Sequence, residues 1–288
     1  MNKVLAFFIV LLPLAVCAQV RVVSAPETEE TVERYDSTNN CPKYQITGFV
    51  GQELFLSPQP DRLKKYGYQD IYRSETSHVG SIPCDEIAGH TFKVTNVKRN
   101  DKIRYFYNMQ LEDTETGTNY YYTYSVAHES WPFITLGYKE KYEAANKGKN
   151  FVALSYYLGK DFNTGEYLTG KTRGTIWTFQ EIIANKDDGE IGYQYTNNEG
   201  QTIVISERSV KDMKPKPEID KLRKKYGTRL CDVAIEGNIK VGMLEELVRI
   251  AKGNPRSINR ASYGEQWVYG EYGDDCVYIK HGKVTGWN

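Results

Sequence analysis

From Cys41 to Arg208 the chain alternates apolar and polar residues in short runs. "GQELFLSP" from Gly51, "GHTFKVTNV" from Gly89, "IRYFYNMQL" from Ile103 and "NYYYTYS" from Asn119 place large residues at every second position and end in Gly, Asn or Asp clusters. Such period-two runs between turn signals predict antiparallel β-strands. The last two runs, joined by "EDTETG", predict a hairpin with Ile103, Tyr105, Tyr107, Met109 and Leu111 on one face of its first strand. On its second strand Tyr120, Tyr122 and Tyr124 share a face opposite Tyr121 and Thr123.

The same text recurs. "GQELFLSP" matches "GKNFVALS" at Gly148, "GHTFKVTNV" matches "GTIWTFQEI" at Gly174, and the segment from Tyr107 matches "YQYTNNEGQTIVIS" at Tyr193, in the same order. Ordered internal similarity predicts a duplicated unit. The modules are expected at 41–138 and 148–208, with "KEKYEAANKGK" predicting a connecting helix over 139–147. Residues 19–40 are polar and acidic and read as a flexible leader. "KDMKPKPE", with two prolines, reads as a linker over 209–217.

The period changes after Pro217. "PEIDKLRKKYG" and "TRLCDVAIEG" end at Gly227 and Gly237, and "MLEELVRIAKGNP" sets Leu244, Leu247, Val248 and Ala251 at helical spacing before Gly253 and Pro255. The strands "EQWVYG", "CVYIKHG" and "KVTGW" follow, the last two turned by His281-Gly282. The expected fold is mainly β with a C-terminal α+β domain over 218–288. It comprises two tandem small antiparallel β-barrel or sheet modules, followed by helices packed on a short antiparallel sheet.

The first residues change the compartment. Lys3, the apolar run "VLAFFIVLLPLAV" and Val16-Cys17-Ala18 form a signal-peptide pattern over 1–18, and the run is too short to span a bilayer. Export to the periplasm or cell exterior is expected; acylation of Cys17 at "LAVC" is the alternative. Thirty-seven basic and 37 acidic residues give no net field for nucleic acid, while 23 tyrosines supply burial through amphipathic rings. In an exported chain Cys41, Cys84, Cys231 and Cys276 read as disulfides, with Cys41–Cys84 and Cys231–Cys276 the preferred pairs. Metal binding is the alternative, weakened by the absence of C-x-x-C spacing.

Two resemblances follow from these motifs. The pattern "G-x-x-F-x-V", a polar hairpin and a Tyr-rich strand resembles the SH3-like barrels of exported bacterial proteins. "GMLEELVRIAKGNP", "EQWVYG" and "VYIKHGKVTGW" are similar to the small outer-membrane lipoproteins of the barrel-assembly machinery and to the β-lactamase-inhibitor-protein fold. The matching positions are Gly242, Met243, Gly253, Pro255, Trp267, Tyr269, Tyr278, Gly282, Lys283 and Val284. This resemblance implies a fold and an envelope-binding character, with no catalytic residue and no cofactor.

Catalytic motifs are absent from the text: no G-x-S-x-G, H-E-x-x-H or phosphate loop occurs, and His78, His90, His128 and His281 are scattered. "DFNTGEYLTG" at Asp161 and "NKDDGE" at Asn185 have a calcium-loop composition without its ligand spacing, and read as turns. Tyr120, Tyr122, Tyr124 and Trp267 are the candidate ligand-binding residues, set against plain sheet packing. The expected function is non-enzymatic binding of an envelope protein or glycan. The alternatives are a glycan- or peptide-acting hydrolase and a structural spacer.

Overall fold

The computed structural model describes residues 35–288 apart from 44, 77–79, 101–105, 127–129, 186 and 272–273. The expected signal peptide, Cys17, His78, His128, Ile103 and Tyr105 lie outside the described residues. After a 3₁₀ turn (Ile46–Phe49) come β1 (Glu53–Leu56), α1 (Asp61–Lys64), β2 (Ile71–Tyr72), α2 (Cys84–Ile87), β3 (Thr91–Arg99), β4 (Phe106–Asp113), β5 (Asn119–Ser125) and β6 (Phe133–Thr135). They form an antiparallel sheet in the order β2-β5-β4-β3-β1-β6. Then α3 (Leu136–Asn146) precedes β7 (Asn150–Ala153), β8 (Ile176–Ala184), β9 (Ile191–Thr196), β10 (Thr202–Ser206) and β11 (Met213–Pro215), ordered β10-β9-β8-β7-β11.

The two sheets repeat one plan down to single hydrogen bonds. β6-β1-β3-β4-β5 corresponds to β11-β7-β8-β9-β10. The β3–β4 register shifts at Thr95 and the β8–β9 register at Gln180, the same place in each strand. Gly51 N–H donates to Val94 O as Gly148 N–H donates to Phe179 O; Leu56 N–H donates to His90 O as Ala153 N–H donates to Thr175 O. The registers pair Val97 with Met109 and Ile182 with Tyr193, so Tyr193 corresponds to Met109, two residues from the Tyr107 match expected from the text. A two-residue slip preserves which face each side chain takes, so the alternation alone left it invisible.

Adjacent units share strands. In β1 and β6, Leu54, Leu56 and Phe133 enter the first core while Phe55 and Ile134 pack against the second. In β7, Phe151 and Ala153 enter the second core and Val152 the third. The helix expected as a connector over 139–147 is part of this packing: α3 runs from Leu136, and its Tyr138 and Tyr142 pack into the second core.

Two further boundaries differ from expectation. Within the expected leader, Tyr35 and Asn40 are buried, and Asn40 bonds Phe133 O and Thr135 N at 3.0 and 2.8 Å, so its last residues belong to the fold. The expected linker over 209–217 holds β11 and the start of α4 (Lys216–Tyr226). Pro215 is accommodated at the end of an edge strand and Pro217 in the first turn of a helix, the two places where a missing N–H costs little.

The chain closes with α5 (Thr228–Ile235), α6 (Glu245–Lys252), β12 (Ser257–Ala261), β13 (Gly264–Val268), β14 (Cys276–Lys280) and β15 (Lys283–Trp287), a meander in the order β12-β13-β14-β15. Its core joins Ile219, Cys231, Leu247, Val248, Trp267, Val277 and Val284 to Val152 and Leu154 of the second module. The motif glycines serve the backbone: Gly242 N–H donates to Val284 O at 2.7 Å, Gly253 (φ 79°) ends α6 before Pro255, and Tyr269 Oη donates to Gly253 O at 3.2 Å. His281 (φ 51°) and Gly282 (φ 71°) form the two-residue turn between β14 and β15, both in the left-handed region that such hairpins require.

The expected disulfides are absent: Cys41, Cys84, Cys231 and Cys276 are not joined to one another. Cys231 lies in the helix-facing core with Val277, whereas alternation along β14 turns Cys276 to the opposite face, where Gln266 Nε2 reaches its sulfur at 3.3 Å. Cys41 Sγ sits 3.1 Å from Tyr124 Oη, and Cys84 starts α2, whose Glu86 bonds Tyr120 Oη. Four positions along a strand are about 13 Å, beyond the span of a disulfide. Among the described residues no helix is long and apolar enough to cross a membrane, and no cluster of three or more His, Cys, Asp or Glu is arranged to hold a metal.

Asp113 closes the β4–β5 turn. It is 1% exposed and accepts bonds from the amides of Glu115 and Thr116 at 2.8 and 3.2 Å, with His90 Nδ1 at 2.8 Å. Burial raises its carboxyl; the His90 bond and the two amides outweigh that and hold it below the usual carboxylate range. A depressed folded value gives stability that is present above the unfolded value of about 3.9 and is lost as pH falls through the folded one. Asp113→Asn is expected to unfold at lower urea near neutrality and to lose part of the wild-type decline in midpoint below about pH 4, measured by urea titrations across that range.

Candidate functional site

The four residues expected to meet a ligand are all interior. Tyr120, Tyr122, Tyr124 and Trp267 are 4%, 1%, 0% and 0% exposed. Tyr122 packs edge-on against Trp131 and Phe133 and donates to Ser130 O; Tyr120 Oη donates to Glu86 Oε1 at 2.9 Å. Trp267 is capped by the Arg249 guanidinium 4.4 Å above its ring, and its indole N–H donates to Glu265 Oε2 at 2.9 Å. Aromatic side chains that face the core of a sheet are structural, so these four offer no exposed platform.

Exposed aromatics gather instead on the long loop between β7 and β8. Tyr156, Tyr157, Phe162 and Tyr167 are 68%, 67%, 54% and 60% exposed. Tyr157 and Tyr167 lie with centroids 6.3 Å apart, and Lys160 Nζ sits 4.9 Å from the Tyr167 ring centre. Strand alternation does not place these rings; loop fastenings do. Asp161, one of the acidic turn residues read from the text, accepts from the amides of Asn163, Thr164 and Thr202 at 2.9, 2.9 and 2.8 Å, pinning the loop tip to β10. Those amides hold its carboxyl below the ordinary range, the Thr202 bond first.

The loop root is fastened to the C-terminal helices. Buried Arg173 donates to Ile235 O at 2.5 Å, to Ile250 O and Ala251 O at 2.7 and 2.8 Å, and to Leu154 O. Tyr156 lies 5.0 Å over its guanidinium and donates to Glu236 O at 2.8 Å. Gly237 makes this approach possible, since a Cβ there would stand 1.8 Å from the Tyr156 hydroxyl. Lys171 pairs with Glu236 at 2.8 Å.

Below the root a cleft of about 1170 Å³ opens between the second module and the helices, lined by Tyr156, Lys214, Lys221, Glu246, Lys252 and Asp275 among others. Two of its carboxylates are engaged: Glu246 accepts from Lys225 at 2.8 Å and from Tyr226, and Asp275 from Lys252 at 2.9 Å. The Lys225 bond holds Glu246 below the usual carboxylate range. A general base for neutral-pH chemistry needs the opposite shift.

No family model matches the chain, and the search of curated proteins returns no similar sequence. The functional reading therefore rests on the site alone. "LSYYLGKDFNTGEYLTG" carried a usable signal, four exposed-type aromatics interleaved with Gly, Asn and Asp, but its period is neither 2 nor 3.6, so it read as turns.

Proposed function

We propose that this is an exported binding protein of a bacterial envelope. Its two modules are SH3-like barrels and its C-terminal part is of the inhibitor-protein type, and it holds a partner protein or glycan on the aromatic loop of the second module. The observation that carries the reading is the set of exposed rings on a loop fastened at both ends. Apolar rings held in solvent by dedicated hydrogen bonds contribute nothing to the core, and rigid aromatics make contact area at small entropic cost. Support for the barrel assignment comes from the five-strand order shared by both sheets and the 3₁₀ turn (Val210–Asp212) before β11. Support for export comes from the opening apolar run and Val16-Cys17-Ala18.

The test is affinity capture from envelope extract with the wild type, Tyr157→Ala/Tyr167→Ala, and the distant exposed control Tyr263→Ala. The double variant is expected to lose its partner at least about tenfold while the control retains it, and both keep the wild-type melting temperature. Equal capture by all three would sink the aromatic-loop reading.

A further inference from the structure

The duplicated sheets differ at one edge. In the first, β2 pairs antiparallel outside β5, with Ile71 opposite Tyr122 and Tyr72 opposite Tyr121, and Thr123 N–H donates to Asp70 O at 3.1 Å. In the second, β10 ends the sheet. Met109 pairs Tyr122 and its counterpart Tyr193 pairs Ile205, so Tyr121 and Thr123 correspond to Val204 and Ser206.

The direction of the edge groups is fixed by Thr202. Its N–H donates outward to Asp161 Oδ2 and its carbonyl accepts from Phe162 N–H, both on the loop. Backbone direction repeats every second residue, so the N–H and C=O of Val204 also point away from β9. No described residue hydrogen-bonds to them across that edge. Neither proline nor lysine, the usual guards of a bare edge, occurs in "TIVIS".

We infer that the outer edge of β10 takes up an extended peptide segment of a partner, paired antiparallel at Val204 and through the N–H of Ser206, whose carbonyl accepts from Ser209 N–H at 3.0 Å, in the position β2 holds on β5. The occupant is named by the molecule itself: the equivalent edge is covered by an extended segment carrying Ile71 inward, 1% exposed, and Tyr72 outward. A strand laid there reaches the fastened loop at Thr202, beside Phe162, so backbone pairing and aromatic contact act on one ligand. This assigns the partner class for the binding reading above and rests on it.

The probe is a peptide of residues 68–74, YQDIYRS. Added to the purified protein it is expected to slow amide exchange at Val204 about tenfold or more. Methylating the peptide nitrogen at its Tyr72 position, which faces the sheet, abolishes this; methylating the Ile71 nitrogen, which faces away, does not. Val204→Pro removes an outward N–H without breaking the β9–β10 ladder, and is expected to abolish the protection that the peptide gives the neighbouring outward amide of Ser206. Unchanged exchange at saturating peptide, or equal loss from both methylations, overturns the proposal. So does protection of Val204 without peptide in a protein that sediments as a dimer, because the edge then belongs to a second copy. If the peptide fails while Tyr157→Ala/Tyr167→Ala still loses its envelope partner, only the strand assignment falls.

Discussion

Arg173→Ala is expected to destabilise the protein by about 3–5 kcal/mol, because several buried carbonyls lose their donor at once, at about 1–3 kcal/mol for each group left unsatisfied. The side chain is 7% exposed and has carbonyls as its hydrogen-bond partners. Ala234 and Ile235 end α5, and Ile250 and Ala251 lie in the last turn of α6. A helix leaves its last carbonyls unpaired and its C-terminus partly negative, so one planar cation between two such ends completes both. Burial draws the guanidinium below its usual range, which is high enough that it stays charged. Alanine strands the carbonyls in the interior; lysine, a point donor on a flexible stem, reaches only some of them, so Arg173→Lys is expected to recover less than half of the loss. Urea unfolding followed by tryptophan fluorescence should show a single wild-type transition splitting, with the Trp267 region melting first. An unchanged midpoint would mean that the helix ends are satisfied without Arg173.

That residue also shows what the sequence could convey. "GKTRG" offered an arginine in a turn, and nothing in the text told it from a solvated one, because all but one of its partners are backbone carbonyls about 60 to 80 positions away, set by packing. Where one face of an element meets one core, the text was sufficient. The alternation of Leu54, Leu56, Phe92, Val94, Met109 and Leu111 names the first core, and Gly253 with Pro255 marks a helix end. It failed where a segment has two masters. Phe55, Ile134 and Val152 read as plain strand residues, yet they join neighbouring units. β12, "SINRA", has one half-buried residue and no apolar period, so it was missed. The text left the tyrosines open between sheet packing and a ligand face for a related reason. A tyrosine is compatible with core or surface, and only what packs on each face of the sheet decides which.

Tyr138 tests whether the units are separable, and Tyr138→Ala is expected to cost about 3–5 kcal/mol, as for other large aromatics removed from a core. It lies on the helix that follows the first module, yet its ring enters the second core, 7% exposed, and its hydroxyl meets that of Tyr193 at 2.6 Å. Burial raises its phenol to about 12, so the pair stays protonated through the ordinary pH range. Tyr142, one turn on, packs 5.3 and 5.2 Å from the rings of Phe179 and Tyr193. Tyr138→Phe keeps the packing and leaves Tyr193 Oη without its partner, a loss of about 1–2 kcal/mol. Combining it with Tyr193→Phe should recover part of that loss, since two apolar rings of the same shape leave nothing unsatisfied. Hydrogen exchange locates the damage. In Tyr138→Ala the amides of β9 are expected to lose protection before those of β4, although residue 138 stands at the end of the first module. If β4 opens first, α3 belongs to the first sheet. If β9 opens first, the second sheet depends on α3 for its core, and the β10 edge and aromatic loop are held in place by the helix that precedes them.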